Sequence, residues 1–473
     1  MKKQLFFFVI CFVFISNAYS QVGIGTTNPQ AQLDVRASNQ ATPLITDGIL
    51  IPKVNNFPPT IPTAPQDGML IYVTGLGTPT KGFYYWDDDL SLWVTIDGAK
   101  KIDDLIDGKS DNDGSEDGSS VFLGLNAGLN DNSTDNKNVG VGYNALTANT
   151  TGYQNTAVGY DALSSNISGH SNSAMGFEAL ASIRYSSNNA AFGSGALKNA
   201  LFSTSNIAFG KDVLGNTTNA GSNNIALGIE SLYVNRGDYN IGIGTQALYS
   251  NTSGDYNIGL GAFSLQSNTT GDENTALGYR ALEDNIDGYR NTAIGSYALR
   301  NNTSGFSNVA LSNEALSSNT TGDYNLAIGS LALGENTTGN YNIAFGSSAL
   351  RFNNADKNIG IGYFALNRNT DGTENIAIGE YALTTNTTGD NLIAIGNSAL
   401  ENNTTANNNV AVGVNASQEN TTGFNNTAIG VNALTSNQTG DYNVIIGKDA
   451  GYLIRGNRNV IIGSNAGRGS GST

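Results

Sequence analysis

The 473-residue sequence predicts an all-β fold: a parallel β-roll, or β-solenoid, of about 21 coils of about 17 residues, preceded by a small β module. Three observations predict it. A string of the form Asn-x-Ala-Ile-Gly-x-x-Ala-Leu recurs from residue 120 to residue 467 at a nearly fixed period. Each copy pairs a short apolar alternation with a Gly and an Asn-Thr-Thr-Gly stretch, which is strand followed by turn chemistry. Seven of the eight prolines and both tryptophans fall in residues 39–99, outside the repeat.

The period is firm. The repeat Gly falls at 124, 142, 159, 176, 193, 210, 228, 244, 261, 278 and 295, then at 329, 346, 362, 379, 396, 413, 430, 447 and 463. Ser312 takes the Gly place between them. The 20 intervals cover 339 residues and none is shorter than 16 or longer than 18. Self-similarity at a fixed period is the signature of a repeat architecture.

Numbering each unit from its Asn gives repeat positions 1 to 17. Position 1 is Asn in 19 of 21 copies, with Ser120 and Leu392 as the exceptions. Positions 2 and 4 are mostly β-branched or apolar with a small residue between, so positions 2–4 read as a strand. The Gly at position 5 stands where the chain must bend. Positions 8 and 9 form an Ala-Leu pair, and positions 12–15 tend to Asn-Thr-Thr-Gly. The structural repeat residues are Asn155, Gly159 and Leu163 in one copy, and Asn240, Gly244 and Leu248 in another. Asn291, Gly295 and Leu299, then Asn375, Gly379 and Leu383, repeat the set. Such a unit is too short for two packed helices and suits a coil of two short strands and two turns. Ile or Val at position 4 and Leu at position 9 are the expected core, as in Ile243 with Leu248, Ile294 with Leu299 and Ile378 with Leu383. The Asn column is expected to stack into an amide ladder, because a buried amide is costly unless bonded.

The other segments follow in chain order. Residues 1–20 read as a secretory signal, with Lys2 and Lys3 before an apolar run from Leu5 to Ile15 and Ala18-Tyr19-Ser20 before the cleavage point. The run is short for a membrane span. Cys11 follows Val9-Ile10 rather than small residues, which argues against lipidation. Residues 21–38 form a fibre-like N-terminal segment, read as strand, Asn28-Pro29 turn, strand. Residues 39–99 form the small β module, with strands expected at Met69–Val73, Phe83–Trp86 and Leu92–Ile96. Its aromatics Phe83, Tyr84, Tyr85, Trp86 and Trp93 are either a small core or a sugar-stacking surface. Residues 100–119 read as an acidic Gly/Ser linker carrying Asp103, Asp104, Asp107, Asp111, Asp113, Glu116 and Asp117. Ca²⁺ is conceivable there, but the twelfth position from Asp111 is Phe122, where an EF-hand loop needs Glu. Residues 468–473 are a polar tail.

Composition excludes much chemistry. One His and one Cys cannot make a Cys/His zinc site or a disulfide framework. The net charge of −16, or −18 once Lys2 and Lys3 are removed, disfavours nucleic acid and anionic membrane. His170, the lone His, sits in a turn beside Gly169 and is expected to be exposed. Strings such as Gly140-Val141-Gly142 are strand repeats, not phosphate loops, because no helix follows. No catalytic, cofactor or metal residue is expected, and no enzyme. The Asn-x-Thr sequons read as turn chemistry rather than glycosylation sites.

At Asn291-Thr292-Ala293-Ile294-Gly295 and its copies, the sequence resembles the head repeats of YadA-like trimeric autotransporter adhesins. The resemblance covers roughly residues 120–467 and implies a left-handed parallel β-roll of three chains side by side. It lacks that family's stalk and anchor barrel, and so points to an anchorless, repetitive secreted surface protein. Residues 22–35 resemble a short segment found near fibre modules of phage tail fibres and bacterial surface proteins. Together these imply a homotrimer, secreted or on the outer-membrane surface of a Gram-negative bacterium. They imply a fibrous adhesin for a host or environmental ligand, protein or carbohydrate, held to a membrane only through an unidentified anchor.

The thin coil points the same way. A coil buries few large apolar side chains against the backbone entropy of 17 residues. Further burial against other chains is therefore expected, through close approach at the small position-3 residues Ala157, Ala276, Ala344, Gly242 and Gly259. Binding surfaces are expected at positions 6, 7, 10, 11, 16 and 17, which vary between copies. The alternatives are a β-solenoid polysaccharide-degrading enzyme, for which no carboxylate or basic cluster recurs, and an ice-binding protein, for which the two Thr are adjacent rather than alternating.

Overall fold

A computed structural model describes residues 22–24, 26, 33–35, 51–75, 79–96, 108–110, 120–132 and 136–469. The signal segment, with Cys11, and the acidic residues from Asp103 to Asp107 and from Asp111 to Asp117 lie outside the described residues. The chain divides into two compact units, residues 1–100 and 101–473.

In the first unit, β1 (Val22–Ile24) pairs with β2 (Leu33–Val35) in parallel, Val22 opposite Leu33. A second sheet runs β3 (Lys53–Val54), β4 (Leu70–Val73), β5 (Gly82–Asp87), β6 (Leu92–Thr95). β3 joins β4 in parallel, whereas β4, β5 and β6 form an antiparallel meander. β3 has no period-2 signature, being two residues long, and was not legible. Alternation along β5 turns Tyr84 and Trp86 inward. Ile71 and Val73 meet Tyr84 in the core, with Val54, Phe57 and Trp93 packed against them.

In the second unit, β7 (Gly108–Ser110) pairs antiparallel with β8 (Val121–Leu123), so the segment read as a linker carries a strand. Twenty further three-residue strands follow, from β9 (Val139–Val141) to β28 (Val460–Ile462). Each strand pairs in parallel and in register with the one before, as in Thr292 opposite Thr275 and Thr292 opposite Val309. Strands β8 to β28 are positions 2–4 of the 21 repeats. At a strand spacing of about 4.8 Å the stack is about 100 Å long. Among the described residues no pairing joins the last strand to the first, so the ladder is open-ended.

Each coil has one regular strand where two were expected. The return segment is a run of tight turns, because positions 7 and 9 both adopt positive φ, 52° at Asp161 and 52° at Leu163. The turns bond locally, Ser164 N–H to Asp161 carbonyl at 3.3 Å and Asn166 N–H to Leu163 carbonyl at 3.1 Å. They still ladder between coils, with Leu163 N–H on the Ala179 carbonyl at 3.0 Å. Left-handed Leu is costly by about 1–2 kcal/mol. Here it directs the side chain into the core, where Leu163, Leu248, Leu299 and Leu383 are fully buried.

Strand parity decides the rest of the core. Asn at position 1 is buried, so position 3 also points inward and positions 2 and 4 point out. Ala157, Ala276 and Ala344 are fully buried, whereas Ile243, Ile294 and Ile378 are 37%, 39% and 37% exposed. This corrects two expectations. The core partners of Leu at position 9 are Ala at positions 3 and 8, not Ile at position 4. The small position-3 residues serve the coil's own interior, not approach by another chain. The satisfied amide column fixes the register, and it carries the small position-3 residue inward with it.

The repeat Gly at position 5 is required by its geometry. Gly159, Gly244, Gly295 and Gly379 have φ of 138°, 135°, 134° and 135°, a region that L-residues rarely enter. Ser312 occupies the same place at φ 125°. Such a conformation stores about 1–3 kcal/mol. Ser312→Gly is therefore expected to stabilise the protein by about 1–3 kcal/mol, read as a higher melting temperature by calorimetry. An unchanged or lower value would mean that the Ser backbone is not strained.

Candidate binding surfaces

The predicted repeat residues converge as structure rather than as a ligand site. Inside the stack the position-1 amide does two jobs. Its Oδ1 accepts the backbone N–H of the Asn one coil on, and its Nδ2 donates to the turn carbonyl of its own coil. For Asn155 these are Asn172 N–H at 3.0 Å and the Gly169 carbonyl at 2.8 Å. Asn240 reaches Asn257 N–H at 2.9 Å and Gly254 at 2.8 Å. Asn291 reaches Asn308 N–H at 3.0 Å and Gly305 at 2.8 Å. Asn375 reaches Leu392 N–H at 3.0 Å and Gly389 at 2.8 Å. Ser120 substitutes its hydroxyl for the missing amide, taking Asn138 N–H at 3.0 Å.

A second amide column was missed. Position 12 is also buried, and its Nδ2 donates to the Asn Oδ1 of the preceding coil and to the Gly carbonyl three residues on. Asn302 makes these bonds to Asn285 at 2.8 Å and to Gly305 at 2.9 Å. The column is interrupted where Ile183, Ala200 and Thr217 replace Asn, and the Asn166 Oδ1 beside Ile183 has no bonding partner. The recurring Asn at this position was visible in the sequence but was assigned to the turn. Because Asn268, Asn319, Asn386 and Asn420 lie inside the coil, their sequons are closed to glycosylation in the folded protein.

Removing one rung tests the ladder. Asn308 Nδ2 donates to Gly322 at 2.7 Å, and its Oδ1 accepts Asn325 N–H at 2.9 Å. Asn308→Ala leaves the Asn325 N–H buried without its acceptor, while the Gly322 carbonyl keeps the Asn319 amide at 2.9 Å, an expected cost of about 1–3 kcal/mol. Chemical denaturation would measure it. A loss below about 0.5 kcal/mol, the range of an ordinary surface change, would show that the amide is not a structural rung.

Two kinds of outer surface remain. The first is the strand face. Position 4 is apolar in all 21 coils, and position 2 is apolar in all but five, Thr156, Ser173, Thr275, Thr292 and Thr427. The two rows run side by side along the stack and stay partly or fully exposed. Exposed apolar strips of this extent mark interaction sites.

The second is the remaining perimeter, at positions 6, 7, 10, 11, 16 and 17. Aromatics stack there between coils. Tyr239 and Tyr256 lie 5.1 Å apart at 3°, Tyr289 and Phe306 4.7 Å apart at 2°, and Tyr324 and Tyr341 5.0 Å apart at 6°. Stacking covers the π faces with each other and leaves ring edges outward, which is poor geometry for a sugar platform. His170 is half-buried, not exposed as expected, because it stacks on Tyr153 at 4.7 Å and 12°. Position 16 also carries carboxylates bonded along the axis, Asp238 N–H to Asp255 Oδ1 at 2.7 Å and Asp255 N–H to Asp272 Oδ1 at 2.8 Å. Burial pushes the Asp323 carboxyl above its ordinary value, and its bond from Phe306 N–H opposes that.

In the first unit, Tyr84 and Trp86 are buried, Phe57 stacks on Trp93 at 5.7 Å, and Phe83 packs edge-on against Tyr72 at 4.8 Å. The aromatic cluster is chiefly the core of that sheet. Among the described residues no group of three or more His, Cys, Asp or Glu is placed to hold a metal ion. Among them too, no helix is long and apolar enough to cross a membrane.

A family model described as a phage tail like trimerisation region matches residues 23–112. The match covers the β1–β2 pair, the four-stranded sheet and β7, and ends before the first coil. No curated protein matches the chain.

Proposed function

We propose that the chain is a secreted or cell-surface fibrous adhesin, non-catalytic, that works as a homotrimer. The observation that carries this reading is the pairing of a trimerisation region with a continuous apolar strip on the coils. Three chains held together at one end would bring their strips to a common axis and remove them from water. The variable perimeter positions would then face outward along the stack, spaced one coil apart, as the attachment surface. The resemblance to YadA-like head repeats supports the same arrangement.

Light scattering on residues 21–473 tests the assembly: a mass three times that of the chain is expected, and a monomer would overturn it. Attachment of cells displaying the protein tests the role. Substitution across the perimeter positions should abolish attachment, and full retention would sink the adhesin reading.

The description of the matched family favours a second reading, a tail-fibre-like component of a phage-derived particle. The mature N-terminus separates the two. Gln21 as first residue means export by a signal peptide, whereas Met1 would favour the particle.

A further inference from the structure

On the perimeter, the coils bearing Gly278, Gly295 and Ser312 enclose an open groove of about 470 Å³ between positions 7 and 10–11. Arg280, Tyr297 and Glu314 form one wall, and Arg300, Asn301 and Ser317 contribute to the other. The two guanidinium groups are held in place by rings. Arg280 lies over Phe263 at 5.5 Å and over Tyr279 at 5.3 Å, and Arg300 over Tyr297 at 5.6 Å. Stacking on aromatics uses the guanidinium face and leaves its in-plane donors for a ligand.

Those donors are under-used. One carboxylate, Glu283, serves both arginines, with Oε1 3.5 Å from Arg280 and Oε2 3.4 Å from Arg300. Both separations are long for charge-assisted bonds, which run about 2.7–2.9 Å. Nε of Arg280 and Nε of Arg300 are buried and make no hydrogen bond, so the donors left for a ligand are the terminal guanidinium nitrogens. The groove therefore offers two cations beside two carboxylates, Glu283 and Glu314, with hydroxyl and amide groups around them.

The size and the mixed lining choose the ligand. A volume of about 470 Å³ falls within the roughly 300–1,000 Å³ of small-molecule sites and exceeds what a single inorganic anion fills. Glu314 opposes a densely charged anion but accepts bonds from neighbouring hydroxyls. At physiological salt, charges more than about 8 Å away are largely screened. The acidic chain as a whole therefore does not override the local arginine pair. We propose that this groove binds an acidic saccharide of the uronate type, its carboxylate on Arg280 and Arg300 and its hydroxyls on Glu314, Asn301 and Ser317. The proposal rests on the surface-binding reading for its use, and names the ligand class of one stretch of that surface.

Calorimetric titration of the purified trimer with tetragalacturonate, maltotetraose and inorganic sulfate tests it. Binding of the tetragalacturonate alone is expected. The double variant Arg280→Gln with Arg300→Gln should weaken it by about tenfold or more, the effect of losing charged hydrogen-bond donors. Glu314→Gln should weaken it at an unchanged melting temperature, so that a loss of fold in the double variant does not hide the result. No binding of the uronate, equal binding of maltotetraose or of sulfate, or unchanged affinity in both variants would overturn the proposal. Titration without cell attachment would overturn the adhesin reading and leave the groove standing, and attachment without titration would do the reverse.

Discussion

Substituting three position-4 residues together, Ile361→Asp, Ile378→Asp and Ile395→Asp, is expected to collapse the assembly of chains while leaving the coil's own core untouched. The three side chains point away from the buried Ala and Leu interior and are 36–38% exposed in the single chain. If they face solvent in the assembled protein, the changes place three like charges opposite one another on adjacent strands, at about 1 kcal/mol each. If three strips meet at an axis, nine carboxylates are brought into an apolar interior with no partner. Each then costs at least about 2 kcal/mol and more if it stays ionised. The expected result is a melting temperature lowered by tens of degrees, with chains separating in light scattering as the strips part. A melt within a few degrees of the parent would exclude packing along this face, whatever the trimerisation region does.

Gly379→Ala is expected to cost about 2–6 kcal/mol, combining a forbidden backbone region with overpacking. Gly379 has φ 135°, and a Cβ placed there would lie 2.5 Å from the carbonyl carbon and oxygen of Gly396. The neighbour is backbone of the next coil, already fixed by the ladder, and cannot rotate away. Because a repeat array is stabilised by nearest-neighbour contacts, the loss is expected at one interface rather than throughout. Limited proteolysis should therefore gain a cut near residue 379, beside a lowered melting temperature. Ser312 shows that the stack tolerates one side chain at this position. A Gly379→Ala protein as stable as the parent would mean that the coil relaxes around a Cβ more readily than the carbonyl spacing allows.

Much of this architecture was readable from residue spacing. The period, the strand at positions 2–4, the bend at the Gly and the buried Leu at position 9 all follow from turn and alternation chemistry. What misled was parity. A period-2 strand has two faces, and hydrophobicity alone assigns Ile294 to the inside and Ala293 to either side. The structure reverses that, because Asn291 must be buried to be bonded and carries Ala293 in with it. An Asn recurring at position 12 was the available clue to a second interior column, and it was obscured by the ordinary turn reading of Asn-Thr-Thr-Gly. The left-handed Leu at position 9 had no sequence signal, since nothing in its composition distinguishes it from a strand residue. The groove at Arg280 and Arg300 was also hidden, because its residues belong to three different coils and meet only once the stack is formed.

The ladders also make length an adjustable property. Wherever position 1 is Asn on neighbouring coils, the rung links them by the same atoms, so those coils are interchangeable along the stack. Excising residues 291–307 would bring Asn308 onto Asn274 with the partners that Asn291 now supplies, Oδ1 to backbone N–H and amide to turn carbonyl. Loss or gain of one whole coil therefore still yields a closed hydrogen-bond network. The reach of the protein can thus lengthen or shorten in steps of one coil, about 4.8 Å, without a new folding problem being solved at any step.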